Sequence, residues 1–188
     1  MAVSTAGNIK LAGSLDGTKL SQSAVGSLNG QWPLYVSLYG GQGQILGWLS
    51  FTNSGQENLG GDVSWIKAAM PAAKFYPNGF DFGTPATGSS YNPAAVPLIG
   101  FNAGVVVLTG GNLSSDITSG VSVNGSTVTS TNKLSLKLSA SKGTFKGSIA
   151  NPSGKAGISF SGVYLQNQNF GSGYFLGTNQ SGRAFFGP

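Results

Sequence analysis

The chain has 188 residues with 31 Gly and only 8% charged side chains, against about 25% in an average soluble domain. It has no His and no Cys, which excludes Ser-His-Asp and Cys-His nucleophiles, thiolate or imidazole zinc, His-ligated haem and disulfides. Residues 1–116 hold all five acids and four Lys and sum to −1, whereas 117–188 hold five Lys, Arg183 and no acid and sum to +6.

Helix signals are nearly absent and strand signals recur every eight to twelve residues, a rhythm of sandwiches and barrels. Asn8–Leu15 places Ile9, Leu11 and Leu15 on one parity, and Asp16-Gly17 turns it into Thr18–Val25. Asn29-Gly30 opens a second hairpin. Gln31–Leu38 and Gln44–Thr52 flank Gly40-Gly41, with Pro33 expected at a sheet edge or strand start because it cannot donate to a ladder. Asp62–Lys67 is the next strand. Residues 71–103, with five Pro and six aromatics, read as a loop-rich cover or binding feature. Strands resume at 104–109, then 117–123 and 127–130 across Asn124-Gly125, then 134–139, 144–150, 156–165, 172–176 and 182–186. No apolar run approaches the ~20 residues that span a bilayer.

Gly7–Val25 (GNIKLAGSLDGTKLSQSAV) and Gly143–Val163 share a pattern of Gly, a Lys-bearing strand, a Gly turn and a second strand. Leu34–Phe51 and Val163–Gly177 continue it. This predicts an internal duplication, halves 7–52 and 143–188 around an inserted middle 53–142, within a single β domain. Closing two such halves on each other removes their sheet edges. The expected fold is therefore all-β, a closed or nearly closed antiparallel β-barrel, with a two-sheet β-sandwich as the alternative.

Gly171–Gly187 (GSGYFLGTNQSGRAFFG), with Gln31–Leu38, Gly60–Lys67 and Asn169–Gly182, resembles the C-terminal β-rich domain of large secreted proteins of environmental bacteria, over nearly the whole chain. The resemblance implies a secreted or cell-surface location within a longer protein, and it supplies no catalytic residues. Met1-Ala2-Val3-Ser4 lacks the basic and apolar regions of a signal peptide, so Met1 is expected to begin a fragment of that longer protein. Oligomeric state does not follow from the sequence.

Three chemistries survive the absence of His and Cys. Ser64-Trp65-Ile66-Lys67 matches S-x-x-K, but that motif works on a helix, and on a strand Ser64 and Lys67 point to opposite faces. Glu57, Asp62 and Asp81 are the candidate carboxylates for glycoside hydrolysis. The same three are the candidate ligands of a Ca²⁺ ion, which could assist hydrolysis of an ester or lactone. Binding needs less. Phe75-Tyr76-Pro77-Asn78-Gly79-Phe80-Asp81-Phe82 gathers four aromatics around a turn, and rings stack on sugars while Asp fixes hydroxyls. The expected site is Trp65, Lys67, Phe75, Tyr76, Phe80 and Asp81. The competing role for the rings is to plug one end of the barrel, and Trp32, Trp48 and Trp65 are expected in the core. The expected function is a non-catalytic module binding an extracellular glycan or small molecule, with a Ca²⁺-assisted, carboxylate-based hydrolase as the alternative. Nucleic acid is the weaker partner, because the Lys-rich 133–155 stretch has only Phe145 for stacking.

Overall fold

A computed structural model describes residues 1–52, 58–130, 133–152, 154 and 156–188. The chain forms fifteen strands among these residues: β1 (Ala2–Val3), β2 (Asn8–Leu15), β3 (Thr18–Val25), β4 (Gln31–Leu38), β5 (Gly43–Phe51), β6 (Leu59–Lys67), β7 (Phe80–Gly88), β8 (Ala103–Gly110), β9 (Ile117–Asn124), β10 (Thr127–Thr129), β11 (Ser135–Ser139), β12 (Thr144–Ile149), β13 (Ile158–Leu165), β14 (Phe170–Leu176) and β15 (Ser181–Gly187). A single 3₁₀ turn at Tyr39–Gly41 is the one helical element among the described residues, and no helix there is long and apolar enough to cross a membrane. The chain divides into two compact units, Met1–Gly88 and Ser89–Pro188.

In the first unit a three-stranded sheet, β1-β2-β3, and a four-stranded sheet, β4-β5-β6-β7, share one core. β4 alternates without a fault: Trp32, Leu34, Val36 and Leu38 are buried, while Gln31, Pro33, Tyr35 and Ser37 are exposed. Period-2 alternation is what a half-buried strand requires. β4 is a sheet edge, which accommodates Pro33 as its missing N–H demands. Ile9 of β2, almost fully buried, packs with these side chains and with Ile45, Leu49 and Val63.

The second unit is a closed eight-stranded antiparallel barrel in the order β10-β11-β12-β13-β14-β15-β8-β9. Its interior is filled. Leu108, Phe145, Phe160, Phe175, Ala184 and Phe186 are buried in one cluster. Phe rings are registered against glycines on neighbouring strands: Phe145 opposite Gly162, Phe160 opposite Gly147, Phe175 opposite Gly182 and Phe186 opposite Gly171. A Cβ at Gly182 would stand 2.2 Å from Phe175 Cζ, and one at Gly147 2.3 Å from Phe160 Cζ. Glycine is therefore required wherever a ring folds over the backbone, and the high glycine content serves packing as well as turns.

One end of this barrel is closed by the Pro-rich segment after residue 88. Ile99 and Leu98 are buried, and Phe101 packs edge-on to Phe186 at 5.3 Å. The segment is pinned by side chains of the β13–β14 turn. The Gly100 N–H donates to Asn169 Oδ1 at 3.0 Å, the Tyr164 hydroxyl also donates to Asn169 Oδ1, and Gln166 Nε2 donates to the Leu98 carbonyl at 3.4 Å. The plug expected of Phe75–Phe82 is thus supplied by other residues, and Phe75–Phe82 belongs to the first unit.

The two resembling stretches do not build the barrel between them. Residues 7–52 supply β2 and β3 to one sheet and β4 and β5 to another, while 143–188 supply β12–β15, consecutive in the barrel. Residues 53–142 contribute β6 and β7 to the first unit and β8–β11 to the barrel. Glycine turns fix each hairpin locally, but which hairpins join one sheet is a matter of tertiary burial.

Candidate functional site

The site grows from the pairing of β6 with β7. Trp65 stands opposite Phe82, and Lys67 opposite Phe80. Phe80 therefore lies in a strand, which the Pro-rich reading of 71–103 did not anticipate. Between the strands the chain loops through residues 68–79. Met70 N–H donates to the Pro77 carbonyl at 2.8 Å and Gly79 N–H to the Tyr76 carbonyl at 3.0 Å. Tyr76 takes the left-handed region, with φ 50°. Gly79 does so too, and a Cβ there would meet the Lys67 carbonyl oxygen at 2.4 Å, so the return into β7 needs glycine.

This arrangement packs the rings against one another. Phe80 makes edge contacts with Trp65 at 4.9 Å and with Tyr76 at 5.1 Å, and Phe82 lies 5.5 Å from Trp65 and 5.4 Å from Phe80. These are the separations and tilts that aromatic quadrupoles favour. Phe82 remains 43% exposed.

Lys67 shares the inward parity of Val63 and Trp65 and is only 5% exposed. Its ammonium donates to the Tyr76 carbonyl at 2.8 Å and lies 5.4 Å over the Tyr39 ring. A buried ammonium is tolerated when such groups replace its water. The Trp65 indole N–H donates to the Tyr39 hydroxyl at 3.1 Å. Burial foremost, opposed by that hydrogen bond and reinforced by the nearby Asp16 and Tyr76, pushes the Tyr39 phenol up to about 12.

Beside these groups lies a cavity of about 260 Å³, reached by Asp16, Tyr39, Lys67, Met70, Lys74 and Phe75. Asp16 is a buried acid at the tip of the β2–β3 hairpin, with φ 49°. The Lys74 ammonium lies 5.1 Å from the Phe75 ring centre. A buried cation, a buried acid and a phenol thus converge on a small cavity with an aromatic and thioether wall, a composition suited to one polar ligand ring.

Of the residues singled out by sequence, Trp65, Tyr76 and Phe80 join the ring cluster, and Lys67 and Phe75 line the cavity. Asp81 does not join them. It pairs with Ile66, so it is exposed on the opposite face of the sheet. Asp62 is exposed on that outer face as well, opposite Pro85. Pro85 is four residues along β7 from Asp81, a separation of about 13 Å at the strand rise. The structure does not bring Asp62 and Asp81 to one substrate, since a glycosidase pair stands about 5–9.5 Å apart. Glu57 lies outside the described residues, and among these no three acids gather at one point. Ser64 is exposed on the outer face while Lys67 is buried on the inner one, so the S-x-x-K spacing forms no dyad.

Trp48, expected in the core, is 62% exposed. It alternates against the buried Ile45 and Leu49 of β5 and therefore faces outward with Tyr35 of β4. Asp16, Tyr39, Met70 and Lys74 of the cavity are not singled out by sequence. Asp16 and Tyr39 sit beside the glycine turns Asp16-Gly17 and Gly40-Gly41, where turn chemistry alone accounts for them.

No family model, no curated protein and no solved structure matches the chain.

Proposed function

We propose that the chain is a non-catalytic carbohydrate-binding module, displayed outside the cell as one domain of a larger secreted protein. A single sugar ring seats in the Lys67 cavity, its apolar face on Phe75 and its hydroxyls on Asp16, the Tyr39 hydroxyl and the Lys67 ammonium. The observation that carries this reading is the convergence of buried Lys67 and buried Asp16 on a cavity walled by Phe75 and Met70. Sugar hydroxyls need both donors and acceptors, and these groups supply both. Among the described residues Asp16 is the one acid that lines the cavity, where acid–base hydrolysis of a glycoside would need two.

The test is a panel of neutral mono- and oligosaccharides on a glycan array, run beside ester and lactone hydrolysis assays with and without EDTA. Glycan binding that Phe75→Ala weakens roughly tenfold, with no turnover of any substrate, is the expected result. Turnover abolished by EDTA would replace this reading with the Ca²⁺-assisted hydrolase. Failure of every glycan to bind would remove it.

A further inference from the structure

We infer that the second unit carries a separate surface for an acidic polysaccharide, laid across the outside of β11–β15. Cross-strand register puts five outward residues in one row: Lys137 pairs with Lys146, Lys146 with Ser161, Ser161 with Tyr174, and Tyr174 with Arg183. Their chain neighbours Leu136, Phe145, Phe160, Phe175 and Ala184 are buried in the barrel interior, so strand alternation turns all five to solvent. At the interstrand spacing, Lys146 and Arg183 stand about 14 Å apart across three strand steps.

A groove of about 970 Å³ opens beside Lys146, Ser161 and Tyr174 of this row, at the barrel end where β8, β12, β13 and β14 meet their loops. Lys146, Ser159, Ser161, Tyr174, Asn112 and Asn151 line it, and among the described residues no acid does. Its rim is held by Asn112, whose Oδ1 accepts from the Thr178 and Asn179 backbone N–H groups at 3.1 and 3.2 Å, while its Nδ2 donates to Asn179 Oδ1 at 2.9 Å. A fixed rim lowers the ordering cost of binding.

Charge selects the ligand class. Residues 89–188 carry five Lys and Arg183 against Asp116 alone, a net +5, whereas residues 1–88 balance to zero. Lysines on strands commonly guard exposed sheet edges, but a closed barrel has no edge to guard, so that duty does not explain the row. Hydroxyls and amides between the cations suit sugar hydroxyls, and the cations suit carboxylate or sulfate substituents. A nucleic acid would ask for several stacking rings and bidentate arginines, and the row has one of each.

This surface lies in the other unit from the sugar cavity and does not rest on that reading. The experiment titrates the full chain with alginate oligomers (carboxylate), heparin oligomers (sulfate), dextran oligomers (neutral) and a single-stranded oligonucleotide, at low and raised salt. Alginate or heparin is expected to bind, more weakly as salt rises, and dextran to leave the row untouched. Lys146→Glu with Arg183→Glu should weaken polyanion binding roughly tenfold, whereas Lys10→Glu with Lys19→Glu, an equal charge change in the first unit, should leave it within about twofold. Circular dichroism confirms that both variants fold, and Tyr174→Ala, which changes no charge, stands in if the first does not. Equal loss in the two charge variants, tighter binding of the oligonucleotide, or no binding of either acidic glycan would overturn the inference. Phe75→Ala leaves this binding unchanged, so failure here and failure of the sugar cavity are read separately.

Discussion

The Lys67 ammonium donates to the backbone carbonyl of Tyr76 at 2.8 Å, and this bond ties the end of β6 to the loop that presents Phe75 and Tyr76. The charge is buried, so its hydrogen bond and its position over the Tyr39 ring stand in for lost water. Substituting Lys67→Met keeps the length of the stem but leaves the Tyr76 carbonyl without this donor. Urea denaturation is expected to show a loss of about 1–3 kcal/mol. A variant as stable as the parent would mean that apolar filling of the site offsets the lost bond, and that Lys67 is not what holds the loop.

Within the ring cluster, position decides the cost of truncation. Phe80 touches Trp65, Tyr76 and Phe82, whereas Phe82 is 43% exposed. Phe80→Ala should cost about 3 kcal/mol, the lower end for a Phe truncation because Phe80 is only half-buried. Phe82→Ala should cost clearly less. Thermal melts of the two variants check the order, and a larger loss for Phe82→Ala would refute it.

The Tyr39 phenol gives stability a dependence on alkaline pH. Its folded value is about 12, above the ordinary phenol value of about 10. The folded state therefore holds this proton where the unfolded state releases it. The contribution is fully present below about pH 10 and is lost as pH rises from there toward 12. Tyr91 and Tyr164 are raised as well, each mainly by burial, and act in the same direction. Denaturation midpoints measured from pH 9 to 12 should fall, and Tyr39→Phe should flatten part of that fall. An unchanged slope in Tyr39→Phe would show that the phenol titrates as it does in water.

The barrel interior offers a test of ring-on-glycine packing. A Cβ at Gly182 would come within 2.2 Å of Phe175 Cζ, and both residues are buried. Gly182→Ala is expected to destabilise the second unit by about 1–3 kcal/mol through overpacking. Adding Phe175→Leu should recover part of the loss, because it withdraws the clashing ring. Absence of coupling in the double-mutant cycle would mean that the backbone moves aside instead.

Much of the local structure is legible in the residues. Asn8–Leu15, Thr18–Val25 and Gln31–Leu38 are strands with the bounds that alternation and the Asp16-Gly17 and Asn29-Gly30 turns dictate. The all-β class follows from hairpin spacing and the edge position of Pro33 from proline's missing donor, whereas the closed barrel, expected from two duplicated halves, is built by β8–β15 alone. The juxtaposition of Trp65, Lys67, Tyr76 and Phe80 is foreshadowed by their nearness in sequence on either side of one turn. Period 2 also carries the facts that Asp81 faces away from Phe80 and that Trp48 faces away from Leu49.

What sequence could not specify is which hairpins share a sheet. Residues 7–52 and 143–188 look alike because glycine turns and short alternating strands look alike, yet the first stretch is divided between two sheets and the second runs consecutively through a barrel. That choice depends on long-range burial. Phe145, Phe160, Phe175 and Phe186 each close over a glycine of the neighbouring strand and meet in one barrel core, and Asp16 and Lys67, 51 positions apart in the chain, meet at one cavity only after β2-β3 and β4-β5-β6-β7 have formed their common core. Turn chemistry and alternation act over a few residues and are written locally, whereas the pairing of distant faces is settled by the apolar area they jointly remove from water.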